Sequence, residues 1–227
     1  MFRLVMVLGV LWAGWAAAQD GLFATLQTTQ GDIRMRLHYD LVPRTVANFL
    51  TLAEGTRPWV DSARGRPVTN RFYNGIIFHR VITNFMIQAG SPNKQGTDGP
   101  GYRFSDEFHP SLTHSNAGVV SMANSGTNSN GSQFFITTVA ATHLNNKHAV
   151  FGHVVSGQSV VDAISGAPTN PTNNRPWVDI VITNVVIERI GTAAQAFNPL
   201  AVTPALPAVK GCGQQFGLQG GAWVLQW

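Results

Sequence analysis

The sequence predicts a mainly β protein, antiparallel, with two helices. Three observations carry this. Short apolar runs recur over residues 22–190, separated by Gly, Asn, Ser and Pro. Only two stretches, near Val46 and near Val160, show helical spacing. Many short strands with so few helices do not give the alternation that builds a parallel sheet, so a barrel or a sandwich is expected.

The chain opens on Met1, Phe2 and Arg3, a short positive start, and residues 4–15 are uncharged and apolar. Ala16, Ala17 and Ala18 then supply the small-residue pattern that a signal peptidase reads, ahead of Gln19 and Asp20. The apolar stretch falls short of the about 20 residues of a spanning helix, which makes a retained anchor the weaker alternative. Residues 1–18 are therefore expected to be a signal peptide. The mature protein is expected to be periplasmic or secreted, with no stable membrane insertion.

Residues 22–28 and 33–37 alternate as strands do, with Gly31 and Asp32 between them as hairpin turn chemistry. A helix follows. Pro43 fits a first turn, Val46, Phe49, Leu50 and Ala53 recur at i, i+3, i+4 and i+7, and Gly55 stands where a helix stops. Residues 56–70 are polar and rich in Arg and Pro, and read as a long surface loop. Apolar runs at 75–81, 85–89, 117–122, 133–138, 149–155 and 178–190 supply further strands. A second helix is expected at 158–164, with Val160, Val161 and Ile164 on one side. The main domain is placed at 19–190. Residues 191–227 are an Ala/Pro/Gly-rich extension of unknown role, linker-like to about Lys210 and strand-like from Trp223. Either a cap on the barrel or the first strand of a further module fits that ending.

Composition narrows the function classes. Apolar residues make up 44% of the 227 and charged residues 11%, which argues for a folded domain with a sizeable core. The formal charge is +4, but the basic residues are scattered singly, with no run that tracks a phosphate backbone. No nucleic-acid partner is expected. Cys212 is the single cysteine, so no internal disulfide forms and the core alone holds the domain. A monomer is expected.

Three segments carry chemistry. In the first, Arg80 shares its strand parity with Phe78 and opposes His79, setting a cation beside an aromatic, and Phe85, Met86 and Gln88 can return on a neighbouring strand. Such a set fits an uncharged ring next to a carbonyl. The second contains Ser121, Met122, Ala123 and Asn124, then Asn130, Gly131, Ser132, Gln133, Phe134 and Phe135. The third contains His143 and Leu144, then Lys147, His148, Val150, Phe151 and Gly152.

In order, these read Phe-His-Arg, Phe-Met-x-Gln-x-Gly, Ser-Met-Ala-Asn, Asn-Gly-Ser-Gln-Phe-Phe and Lys-His-x-Val-Phe-Gly. Over residues 22–190 the chain thereby resembles the cyclophilins. The resemblance implies a closed eight-stranded antiparallel barrel capped by two α-helices. It implies a peptidyl-prolyl cis/trans isomerase that needs no cofactor and no metal, and whose partners are proline-containing unfolded or partly folded polypeptides. By the same resemblance Arg80 is the catalytic arginine and Gln88 orients it. Phe85, Met86, Phe135, Leu144 and His148 form the proline-ring pocket. Asn124 holds the substrate backbone, and Ala123 and Gln133 line the neighbouring groove. His143 stands where the family often has a Trp at the pocket rim, which bears on cyclosporin affinity more than on catalysis.

Other readings are weaker. Phe78, Phe135 or Arg80 taken singly would be a core aromatic or a strand-edge cation; the ordered set changes that. His143, His148 and His153 are spaced by five, which fits neither a helical pair nor common zinc spacings. Residues 96–101 lack the Lys-Ser/Thr that follows a phosphate loop, and Ser121 and Ser132 lack the Gly-x-Ser-x-Gly context of a hydrolase. A non-catalytic module that only holds Pro-containing segments is the second functional hypothesis. Arg80 and Gln88 together with the apolar set favour the enzyme.

Overall fold

The computed structural model describes residues 20–203, together with the backbone of 215–219 and 222–226. The expected signal peptide at 1–18 and Cys212 lie outside the described residues. β1 (Gly21–Thr28) and β2 (Gly31–Leu37) form the expected hairpin, but its turn sits earlier than Gly31 and Asp32. Thr28 pairs with Gly31, so Thr29 and Gln30 make the turn. The Thr28 side chain closes it: Oγ1 donates to Gly31 O at 2.6 Å and accepts from Gln30 N at 3.1 Å. Leu22, Ala24 and Leu26 of β1 and Ile33 and Met35 of β2 are fully buried, the period of two that a sheet face requires.

α1 (Pro43–Glu54) forms where its periodicity placed it, with Pro43 in the first turn and Gly55 ending it at φ 72°. Val46, Phe49 and Leu50 are fully buried. The Phe49 ring lies 4.9 Å from Tyr73, 5.8 Å from Phe134 and 5.5 Å from Phe151, so one helical residue ties α1 to three separate parts of the chain. Residues 56–70 are not simply a surface loop. β3 (Trp59–Asp61) and β4 (Arg66–Val68) pair antiparallel, Trp59 is buried, and the Arg57 guanidinium lies fully buried 4.0 Å over the Tyr102 ring. Polar composition hid this, because the arginine is held by an aromatic face rather than by water.

β5 (Ile76–Ile77), β6 (Arg80–Ile82), β7 (Met86–Ala89), β8 (Val119–Met122), β9 (Phe134–Thr137), β10 (Val150–Ser156) and β11 (Val181–Ile190) join β1 and β2 in one antiparallel sheet. Its order is β5-β11-β1-β2-β10-β8-β9-β7-β6. The resemblance implies eight strands closed into a barrel; the sheet instead has nine, curled into a half-barrel whose ladder is open between β5 and β6. The extra strand has a simple origin. β5 and β6 are halves of one stretch, interrupted at Phe78 and His79, and they pair with opposite ends of the sheet, β5 with β11 and β6 with β7. Covalent continuity spans the gap.

That break also corrects a parity expectation. Phe78 N donates to Ile180 O and Val81 N to Asn174 O, so the backbone turns between them. Phe78 and Val81 both enter the core while Arg80 is exposed, and Phe78 does not share a face with Arg80.

α2 (Gln158–Ser165) forms as expected and buries Val161 and Ile164. Residues 191–203 carry two short helices. α3 (Thr192–Ala196) buries Ala194, α4 (Pro199–Val202) follows, and Phe197 between them meets the Tyr39 ring at 5.2 Å. The linker-like reading therefore does not describe 192–202. Further on, β12 (Gln215–Gln219) and β13 (Ala222–Gln226) pair as a hairpin.

Candidate functional site

Two adjacent register positions across β6, β7, β9 and β8 separate core from site. Val81, Ile87, Ile136 and Val120 occupy one and all point into the core. The next position carries Arg80, Gln88, Phe135 and Ser121, on the outer face. Alternation along each strand produces this division. Phe134 and Phe135 show it most plainly: Phe134 is fully buried among the core residues, while Phe135 lies on the other side of the sheet, outside that cluster.

On one side of the row, polar groups interlock. Arg80 Nη1 approaches Gln88 Oε1 at 3.5 Å, the long limit of a hydrogen bond. Gln88 Nε2 donates to Gln133 Oε1 at 2.9 Å. Gln133 Nε2 donates to Gly96 O at 3.0 Å and Asp98 O at 2.8 Å. The chain of bonds runs from the exposed cation to the loop of 96–101. That loop and Gln88, Ala123, Asn124 and Gln133 border a groove of about 610 Å³.

The other side is built of rings. His148 meets Phe135 edge-on, with centroids 5.5 Å apart and planes at 83°. Its Nδ1 lies 2.9 Å from Met122 O, and since a carbonyl only accepts, Nδ1 is the donor there. A 3₁₀ turn, Thr142–Leu144, carries His143 and Leu144. The exposed His143 ring stacks on Phe85, 5.7 Å away at 25°. Met86 is 2% exposed yet belongs to the outer row of β7 rather than to the core cluster. An exposed guanidinium thus sits beside a buried apolar face and a polar groove.

The cyclophilin type peptidyl-prolyl cis-trans isomerase/CLD family model matches residues 23–187. The chain belongs to the cyclophilin family. It is 50% identical over 171 residues to peptidyl-prolyl cis-trans isomerase B of Streptomyces anulatus, covering 74% of this chain and 98% of that relative. It is 47% identical over 167 residues to peptidyl-prolyl cis-trans isomerase A of Mycobacterium tuberculosis (strain ATCC 25618 / H37Rv), covering 72% of this chain and 91% of that relative. A crystal structure of a Cryptosporidium parvum cyclophilin type peptidyl-prolyl cis-trans isomerase superposes with a TM-score of 0.64 at 31% identity, over 74% of this chain and 98% of that one. A second, obtained in the presence of the dipeptide Ala-Pro, gives 0.63 at 31% identity, over 73% and 98%. This cyclophilin is a peptidyl-prolyl cis/trans isomerase, and cyclophilins bind proline-containing peptides.

The cyclophilin fold places the residues singled out from sequence in two neighbouring groups. Arg80 links to Gln88 and Gln133, with Ala123 and Asn124 beside the same groove. Phe135 and His148 meet each other, and Phe85 meets His143. Asn124 also has partners of its own. Its side chain is occupied within the chain, Nδ2 donating to Lys147 O at 2.8 Å and Oδ1 accepting from Gly126 N at 3.3 Å.

Two further residues belong here. His79, only 6% exposed, packs beneath Gly96, where a Cβ would lie 2.8 Å from Nε2. Burial and the Arg80 charge lower its pKa to about 4, so it is neutral at pH 7. Its place in the Phe-His-Arg motif was the available signal. His114 is fully buried with a ring nearly parallel to that of Phe135, 5.9 Å away at 14°. Nothing local in the sequence marks it. Among the described residues no group of three or more His, Cys, Asp or Glu is placed to hold a metal ion.

Proposed function

We propose that this cyclophilin turns X-Pro bonds of exported polypeptides, with Arg80 as the catalytic group. The observation that carries the reading is the alignment of Arg80, Gln88 and Phe135 at one register position, which sets a cation, an amide and a ring side by side on the outer face. An amide resists rotation because the nitrogen lone pair is delocalised into the carbonyl, a barrier of about 18–20 kcal/mol. In the twisted transition state that lone pair localises on the prolyl nitrogen. A guanidinium N–H aimed there bonds more strongly than in the ground state, and each ~1.4 kcal/mol of such differential binding gives tenfold in rate.

The remaining residues serve this step. Gln88 aims Arg80. Phe135, Met86, Phe85, Leu144 and His148 hold the proline ring while the preceding carbonyl swings, and His143 forms the rim. Exclusion of water by these apolar groups strengthens the Arg80 contact. Because the Asn124 side chain is engaged with Lys147 and Gly126, its main chain is left to meet the substrate backbone. Ala123 and Gln133 border the groove for residues preceding the proline. No covalent intermediate or general base is needed.

The test is cis-to-trans relaxation of an Ala-Pro peptide with wild type and Arg80→Ala. A loss of about a hundredfold in kcat/KM is expected, on the scale of losing an electrostatic transition-state contact. Undiminished activity in the variant rules out the mechanism.

The Met1–Ala18 pattern supports export, to the periplasm or the outside, where slow proline isomerisation limits folding of other exported chains. Mass spectrometry of the mature N-terminus from the native host should find Gln19 first. The scattered basic residues support the absence of a nucleic-acid partner. The protein works as a monomer after leader removal, which sedimentation velocity checks.

A further inference from the structure

Behind Phe135 lies a polar row with no part in the chemistry above. His114 is fully buried, as is Ser121. His114 Nε2 lies 3.0 Å from Ser121 Oγ, and Nδ1 lies 3.0 Å from Asn145 Oδ1. The backbone N–H of His114 donates to the same Asn145 oxygen at 2.8 Å.

These contacts fix every proton. A backbone N–H only donates, so the Asn145 atom facing it is the oxygen. His114 Nδ1 faces that oxygen too and carries the ring proton. Nε2 is therefore bare and accepts from the Ser121 hydroxyl. Burial lowers the His114 pKa, in keeping with a neutral ring.

Serine, imidazole and amide in this order match a nucleophile, its base and an orienting group. Burial excludes that use. Ser121 has no exposed surface, and Phe135 occupies the paired position beside it on β9. No substrate carbonyl reaches Oγ.

What the row does join is the apolar side of the site. Ser121 belongs to β8 and is the register partner of Phe135. The His114 ring lies nearly parallel to Phe135. Asn145 directly follows the turn that carries His143 and Leu144, and the Leu144 carbonyl accepts from the N–H of His148. His148 in turn meets Phe135 edge-on. His114 O also accepts from Ala141 N at 2.7 Å, at the start of the same turn.

We propose that His114, Ser121 and Asn145 form a positioning unit that clamps the turn of 142–148 against Phe135 and so sets how tightly the proline ring is held. The proposal rests on Phe135 and His148 forming the ring pocket. The unit touches neither substrate nor Arg80, so its loss weakens ground-state and transition-state binding alike. That signature is a raised KM at nearly constant kcat, the opposite of losing Arg80.

The test compares Asn145→Ala, Asn145→Asp and Ser121→Ala on the full chain, using an Ala-Pro peptide and measuring kcat, KM and the thermal midpoint. Asn145→Ala should raise KM about fivefold or more with kcat within about twofold, and Asn145→Asp, which keeps an acceptor for both N–H groups, should restore KM. Ser121→Ala, which removes one bond and little volume, should raise KM in the same direction. Unchanged KM in Asn145→Ala and Ser121→Ala overturns the proposal. So does a loss of apparent kcat alone that follows the folded fraction, or a KM defect that Asn145→Asp fails to repair. Phe135→Ala, run alongside, separates the underlying assumption: unchanged KM there removes the pocket assignment itself.

Discussion

Gln88 presents its oxygen to Arg80 because Gln133 takes its nitrogen. The two amides meet at 2.9 Å, and their orientation follows from the far end of the row. Gly96 O and Asp98 O can only accept, so the Gln133 atom facing both is Nε2. That turns Gln133 Oε1 toward Gln88, which must answer with Nε2 and leave Oε1 for the guanidinium. Gln133→Glu breaks this logic, since a carboxylate cannot donate to two carbonyls. We expect about a tenfold loss in kcat/KM and a destabilisation of about 1–3 kcal/mol, from peptide relaxation and denaturant unfolding.

Arg80→Lys should not rescue function. The guanidinium offers five N–H groups in a planar fork, able to meet Gln88 and a prolyl nitrogen together, whereas an ammonium is a point donor on a flexible stem. A fall in kcat of about tenfold or more with KM near wild type is expected, the pattern for an interaction made only in the transition state. Single-turnover kinetics on the Ala-Pro peptide reads it.

Acid should weaken the fold through His38 and His79. His38, just past the end of β2, stacks on His153 of β10, with His153 Nδ1 3.2 Å from His38 Nε2. Burial, then His153, lowers the His38 pKa from 6.5 to about 4, with Asp40 opposing and Arg36 adding; His79 is also lowered to about 4. A histidine lowered in the folded state leaves the unfolded chain binding more protons between the two values. Stability is therefore full above pH 6.5 and falls as pH drops toward 4. The thermal midpoint should decline over that window, and His38→Gln should flatten the decline.

Two glycines with similar backbone angles should respond differently to alanine. Gly75 has φ +83° and nothing within 4 Å of an added Cβ. Gly90 has φ +94°, and its Cβ would lie 2.3 Å from Ser132 O and 2.7 Å from Gln133 Cα. Gly75→Ala should cost about 1–2 kcal/mol, the left-handed strain alone. Gly90→Ala, which drives the added Cβ into the backbone of Ser132 and Gln133, should cost about 3 kcal/mol or more. Urea unfolding of both variants checks the difference.

Much of this was legible in the chain. α1 followed from Pro43, the spacing of Val46, Phe49, Leu50 and Ala53, and Gly55, because helix signals are local. The strands at 22–28 and 33–37 followed from alternation, and the motif residues marked the candidate site. The turn of the first hairpin was misplaced because Gly31 advertises a turn, while the Thr28 hydroxyl that closes it does not. Residues 56–70 were misread because a buried Arg57 looks, in sequence, like any surface arginine.

By itself the sequence determined the class of the protein, its family and the identity of Arg80 and its neighbours, since periodicity and ordered motifs are carried by residues close in the chain. Only the tertiary structure decided that Phe78 leaves the face of Arg80, that two amides fix each other's orientation, and that His114 lies beside Phe135. These depend on a strand break and on pairings between distant segments, which no local pattern records. Register across the sheet, set by the burial of one face, is what turns scattered residues into a site.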